Sequence, residues 1–191
     1  MRPRSFVSLL IASLVIAGCS RGPSTDHAAS APADSTARID VLAAGGPVVM
    51  PASGVELSMR LHAPGARATV LNVWATWCAP CREEFPGMLE VARRHRDVRL
   101  VLVSADFAEQ LPEVRRFLAQ HGVTDTTYLK SGGDQEFIDA LDRSWTGALP
   151  ATLVCDANGR TVAFWEGAAS PERFEAAITK ALHPNSQGAT P

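Results

Sequence analysis

The segment Trp77-Cys78-Ala79-Pro80-Cys81 stands between an apolar run, Thr69-Val70-Leu71-Asn72-Val73-Trp74, and a helical pattern opening Arg82-Glu83-Glu84-Phe85-Pro86. The order is strand, Cys-x-x-Cys, helix. It puts the first cysteine at a helix N-terminus, where unpaired N–H groups and the helix dipole favour a thiolate over a thiol. The thiolate is the species that attacks disulfides. Cys-x-x-Cys also serves as half of a structural zinc site, but such a site needs a second Cys or His pair at a similar spacing. Cys19 and Cys155 stand alone, and the histidines at 27, 62, 95, 121 and 183 form no close pair. No metal is expected.

The chain starts with a short basic stretch, Met1-Arg2-Pro3-Arg4, and an apolar run from Phe6 to Ala17. That run is short of the roughly 20 residues that span a bilayer. Residues 1–18 read as a secretory signal peptide. Ile16-Ala17-Gly18-Cys19 resembles the bacterial lipobox, which makes Cys19 the expected lipidation site. Stable anchoring takes more than one acyl chain, and bacterial lipoproteins carry two or three. Ser20 follows where an Asp would favour inner-membrane retention, so the expected location is a periplasm-facing lipoprotein of the bacterial envelope, with the outer membrane favoured.

Residues 19–38 are rich in Ser, Ala, Pro, Thr and Asp with almost no large apolar side chains. Such a segment cannot repay its ordering entropy and reads as a flexible tether. Residues 184–191 read as a disordered tail. Losing Arg2 and Arg4 moves the formal net charge from −2 to −4. Arg93, Arg94, Arg96 and Arg99 crowd together, but Glu90 and Asp97 interrupt them, so a solvated helix end fits better than nucleic-acid binding. Residues 39–183 suit one domain with a real core.

Within that domain, Ser53-Gly54-Val55-Glu56 has capping-box spacing and predicts a short helix over residues 54–62. No strand is legible in residues 40–53. Residues 68–74 and 98–104 read as strands buried on both faces. Helices are expected from Pro80 to about Arg94, kinked at Pro86, and from Glu109 to His121, with Gly122 as its stop. A short strand over 126–129 and a short helix over 134–141 follow. Asp156-Ala157-Asn158-Gly159 joins two strands as a hairpin. Ser170-Pro171-Glu172 opens a last helix. The sum is an α/β domain with a mixed sheet and helices on both faces.

The Trp-Cys-x-Pro-Cys block, Pro86 five residues past Cys81, and Gly147-Ala148-Leu149-Pro150 before a strand resemble thioredoxin-fold proteins. More narrowly, LNVWATWCAPCREEFP, LVLVSAD, FLAQHG and ALPATLVCDANGR are similar to the TlpA/ResA-like membrane-anchored thiol–disulfide oxidoreductases. The resemblance covers roughly residues 40–182. It implies Cys78 as the more exposed nucleophile, Cys81 as the resolving thiol, and a redox-active Cys78–Cys81 disulfide as the only cofactor. It implies a cis bond before Pro150, with the backbone of Leu149 pairing with the substrate chain. Thioredoxins carry a buried acid where this chain has Asn72, which cannot titrate. In ResA-like members a Glu at the position of Glu84 matters instead, as an acceptor of the Cys81 proton. The plainer reading of Glu84 is a solvated helix-surface acid, which is also the reading for Glu83.

Trp77, Ala79 and Pro80 are expected to form the contact surface beside the dithiol, with Trp74 in the core. Cys155 reads as a small buried apolar residue. The expected activity is a monomeric protein-disulfide reductase acting on envelope proteins and supplied by a membrane electron donor, without nucleic acid. Oxidase or isomerase use of the same dithiol is an alternative. So is a peroxiredoxin-like peroxidase, though the vicinal cysteines argue against it. A non-enzymatic binding module is the least favoured, because the dithiol is intact.

Overall fold

The computed structural model describes residues 46–184. The expected signal peptide, the expected lipidation site Cys19, the expected tether and the residues from 185 on lie outside the described residues. Six strands and five α-helices alternate: β1 (Val49–Ala52), α1 (Gly54–Leu61), β2 (Ala68–Trp74), α2 (Ala79–Arg94), β3 (Val98–Ser104), α3 (Leu111–Gln120), β4 (Thr127–Lys130), α4 (Asp134–Leu141), β5 (Ala151–Asp156), β6 (Thr161–Glu166) and α5 (Pro171–Leu182). The sheet order is β1-β4-β3-β2-β5-β6. β2 runs parallel to β3 and antiparallel to β5, so the sheet is mixed.

All seven residues of β2 are buried, which is why the segment reads as one apolar run without alternation. Its side chains divide between two cores. Val70 and Trp74 face Phe85, Met88, Phe174 and Ile178. Leu71 and Val73 face Leu57, Phe137 and Leu153. Trp74 packs against Phe85 and Phe117, with ring centroids 5.0 and 4.8 Å apart, and so belongs to the core as expected.

Local chemistry explains most element boundaries. Ser53 and Glu56 form the full capping box that starts α1. A cap of this kind is worth about 1 kcal/mol. Gly122, at φ +63°, ends the helix before it; its N–H donates to Ala119 O at 3.0 Å, and that of Val123 donates to Leu118 O at 3.0 Å. α2 continues through Pro86 as one helix. The hairpin forms as expected, with Asp156 Oδ1 accepting from the N–H groups of Asn158 and Arg160.

Three features differ from expectation. The segment Val49–Ala52 is a strand, paired in parallel with β4 at the sheet edge. Its four residues and internal Pro51 give no periodic signal, and a proline is tolerated there because an edge strand need not donate on both sides. The 109–121 helix begins later, at Leu111, preceded by a 3-10 turn over Ala108–Gln110. The arginine cluster is not simply a solvated helix end. Arg93 donates to the carbonyls of His121 and Gly122, and Arg99 to those of Ala63 and Pro64. Arg93 thus ties the loop after α3 to the end of α2, and Arg99 ties the loop after α1 to the start of β3.

Candidate active site

β2 ends at Trp74, and Ala75–Trp77 carry the chain to α2. Cys78 is the N-cap of that helix: its Sγ accepts from the Cys81 N–H at 3.3 Å. The two are joined as a disulfide, with Cα atoms 5.3 Å apart. Cys78 is 6% exposed and Cys81 0%. The handover from strand to helix therefore leaves Cys78 slightly open to solvent and closes off Cys81. A sulfur at a helix N-terminus is also where negative charge is best tolerated.

Trp77 is 57% exposed. Together with Asp106, Phe107, Ile138, Trp145 and Leu149 it lines a cleft of about 810 Å³ next to the disulfide-bearing turn. Ala79 and Pro80 are exposed, and Leu149 is half-buried. The Leu149–Pro150 peptide bond is cis, and the Pro150 carbonyl accepts from Gly167 N–H at 2.8 Å. Trp145 Nε1 donates to Ala148 O at 2.9 Å, holding the turn that leads into Leu149.

Glu84 is not a solvated surface acid. It is 7% exposed, although Glu83 beside it is exposed as expected. Glu84 Oε1 accepts from Asn72 Nδ2 at 3.0 Å, and Oε2 accepts from Ala169 N–H at 2.8 Å. Burial pushes its carboxyl above the usual value, against the pull of the two hydrogen bonds from Ala169 and Asn72. On α2 it lies one turn past Cys81, the spacing at which helix side chains neighbour each other.

Two residues of the site were not singled out from the sequence for the part they play. Asp106 follows β3 and is buried; it accepts from Thr76 N–H at 3.0 Å, from the Thr76 hydroxyl and from the Ser104 hydroxyl. Ala169 contributes only a backbone N–H, which leaves no mark in a sequence. Cys155 lies in the core on the other face of the sheet from Cys78 and Cys81. Burial raises its thiol pKa. Among the described residues no group of three or more His, Cys, Asp or Glu could hold a metal ion.

Comparison with known proteins agrees with this geometry. The Redoxin family model matches residues 50–181. Over 96 residues the chain is 30% identical to the thiol-disulfide oxidoreductase ResA of Bacillus subtilis, covering 50% of this chain and 51% of that protein. Over 93 residues it is 33% identical to the thiol:disulfide interchange protein CycY of Rhizobium leguminosarum, covering 49% and 46% respectively. The chain thus spans about half the length of these curated relatives. A crystal structure of a thiol:disulfide interchange protein of the thioredoxin family from Chlorobium tepidum superposes with a TM-score of 0.53 and 28% identity, covering 65% of this chain and 84% of that one. The fold is thioredoxin-like, as the sequence motifs implied.

Proposed function

Because the chain belongs to the Redoxin family, within its TlpA/ResA-like branch, we propose that it is a thiol–disulfide oxidoreductase that reduces disulfides of other proteins. The observation that carries this reading is the Cys78–Cys81 disulfide at the start of α2, with Cys78 the more exposed sulfur and the cleft of Trp77 and Leu149 beside it. In the reduced protein the Cys78 thiolate attacks a substrate disulfide and forms a mixed disulfide. Cys81 then displaces the substrate thiol. Glu84 accepts the Cys81 proton. Leu149 backbone groups pair with the substrate chain, a main-chain mode of recognition that tolerates varied side chains.

The direction of electron flow is tested by equilibrating the dithiol with glutathione. A reductase is expected to settle below about −220 mV, in the range of glutaredoxin and thioredoxin dithiols. A value near about −120 mV, that of a strong dithiol oxidant, would overturn the reductase reading.

The location follows from the N-terminal sequence. Lipid attachment at Cys19 would hold the domain on the periplasmic side of the bacterial envelope, with protein disulfides as substrates and a membrane protein as electron donor. Ser20 favours the outer membrane. Cys19→Ser is expected to leave unprocessed precursor or a soluble form. Unchanged membrane partitioning together with unchanged mature mass would rule the anchor out.

A further inference from the structure

Asn72 and Thr152 are cross-strand partners on β2 and β5, and both are fully buried. Asn72 Nδ2 donates to Thr152 Oγ1 at 3.0 Å and to Glu84 Oε1 at 3.0 Å. Its Oδ1 is buried with no hydrogen-bond partner. A carboxamide has two N–H donors and one acceptor oxygen. Here both donors are used and the acceptor is not. A buried orphan acceptor is costly and rare enough to need a reason.

The reason lies across from it. Turned over, the amide would set Oδ1 against Glu84 Oε1, two acceptors facing each other. An apolar side chain would avoid the orphan but give Glu84 nothing. The amide is therefore kept for what it donates. Glu84 needs donors: it makes no ion pair among the described residues, and its other oxygen has only the Ala169 N–H. The groups around it are few. On its own helix the neighbour one turn back is Cys81, which carries a proton to give only once the disulfide is reduced. Asn72 from β2 does not titrate, Thr152 from β5 reaches it only through Asn72, and the segment before α5 offers a backbone N–H.

We propose that Asn72 is a positioning residue: its amide, locked by Thr152, holds the Glu84 carboxylate in the buried space one turn past Cys81, so that Glu84 is ionised and aligned when Cys81 gives up its proton. The inference rests on the reading of Glu84 as proton acceptor. In the step concerned, the Cys81 S–H proton passes to Glu84. The Cys81 sulfur pair attacks Cys78 Sγ and forms the Cys78–Cys81 bond. The bond from Cys78 to the substrate sulfur breaks, and its electron pair leaves with the substrate, which takes up a proton. Two electrons have passed from dithiol to substrate.

The test follows the Glu84 side-chain carboxyl by carbon-13 NMR across pH in the oxidised full-length protein, for wild type, Asn72→Ala and Thr152→Val. Resolution of a mixed disulfide is timed on the reduced proteins at each pH. Asn72→Ala removes a donor to the charged form. It should raise the Glu84 midpoint by about one pH unit, shift the pH profile of resolution the same way, and slow resolution about tenfold below the new midpoint. Thr152→Val unlocks the amide and should move both readouts in the same direction by less. A Glu84 midpoint in Asn72→Ala equal to wild type overturns the proposal. If Asn72→Ala does not fold, an unmoved midpoint in Thr152→Val does so instead. Glu84→Gln separates this from the reading it rests on. Unchanged resolution in Glu84→Gln would remove Glu84 as acceptor, while the carboxyl midpoints still decide what Asn72 does to it.

Discussion

Asp106, just past the end of β3, holds Thr76 by two of its groups: the carboxyl accepts from the Thr76 backbone N–H at 3.0 Å and from the Thr76 hydroxyl at 2.5 Å. The same carboxyl accepts from Ser104 Oγ at 2.6 Å. The turn that presents Trp77 and Cys78 is therefore tied to the neighbouring strand and not left to its own three residues.

Asp106→Ala would leave the buried Ser104 hydroxyl and the half-buried Thr76 donors without this partner. Unpaired buried groups cost about 1–3 kcal/mol each, and partial relaxation brings the expected loss to about 2–4 kcal/mol. Urea denaturation of the oxidised protein measures it. Thr76→Val keeps the backbone bond and should lose about 1 kcal/mol. A loss below 0.5 kcal/mol, on the order of a neutral surface change, would show that the turn does not depend on Asp106.

With Cys81→Ser, a mixed disulfide with substrate should accumulate at Cys78, because the less buried sulfur attacks and the fully buried one is no longer there to release it. Mass spectrometry of the trapped adduct assigns the site. Trapping that instead requires Cys78→Ser would reverse the two roles.

Glu84 has a pKa above its ordinary value of 4.5 in the folded protein, chiefly through burial. Above that value the folded chain holds a proton that the unfolded chain has lost, so stability falls as pH rises through the folded pKa. Glu84→Gln lacks this component. The stability difference between wild type and Glu84→Gln should change between about pH 4.5 and the folded pKa and be flat beyond it, as urea melts across pH would show. Carboxyls whose pKa is lowered, such as Asp134 and Glu56, are common to both proteins and cancel. The same variant should slow resolution more than the first attack by Cys78. Parallel stability curves would contradict the burial of the charge.

Gly54→Ala tests how α1 meets α4. A Cβ at Gly54 would lie 2.7 Å from Phe137 O and 2.9 Å from Ala140 Cβ. Alanine brings up to about 1 kcal/mol of helix propensity. The obstructing oxygen is backbone and cannot step aside, and overpacking costs about 1–3 kcal/mol. The clash should win, with a net loss of about 1–2 kcal/mol by thermal or urea melts. A gain in stability would mean that α4 moves away freely.

The parts of this fold that show in the sequence are those written locally. The Ser53–Glu56 cap, the two central strands, the β5–β6 hairpin and the strand–Cys-x-x-Cys–helix order each occupy one continuous stretch of the chain. The edge strand β1 does not show, because four residues containing Pro51 carry no period. The site divides the same way. Cys78 and Cys81 were evident, and Glu84 could be named by resemblance. Its burial could not, since that depends on Asn72 twelve residues earlier and on Ala169 eighty-five residues later. Asp106 was visible only as the end of a matching string. What joins it to the site is a contact across strands, and single-sequence patterns do not encode such contacts.

Cys155 lies on the far side of the sheet from the dithiol, closed off from solvent, with a thiol that burial keeps protonated. Among the described residues the oxidised protein thus holds one sulfhydryl, which no reagent can reach until β5 or its neighbours part. The rate at which an alkylating agent marks Cys155 is a clock for breathing of the sheet, running in the same molecule as the redox chemistry and independent of it.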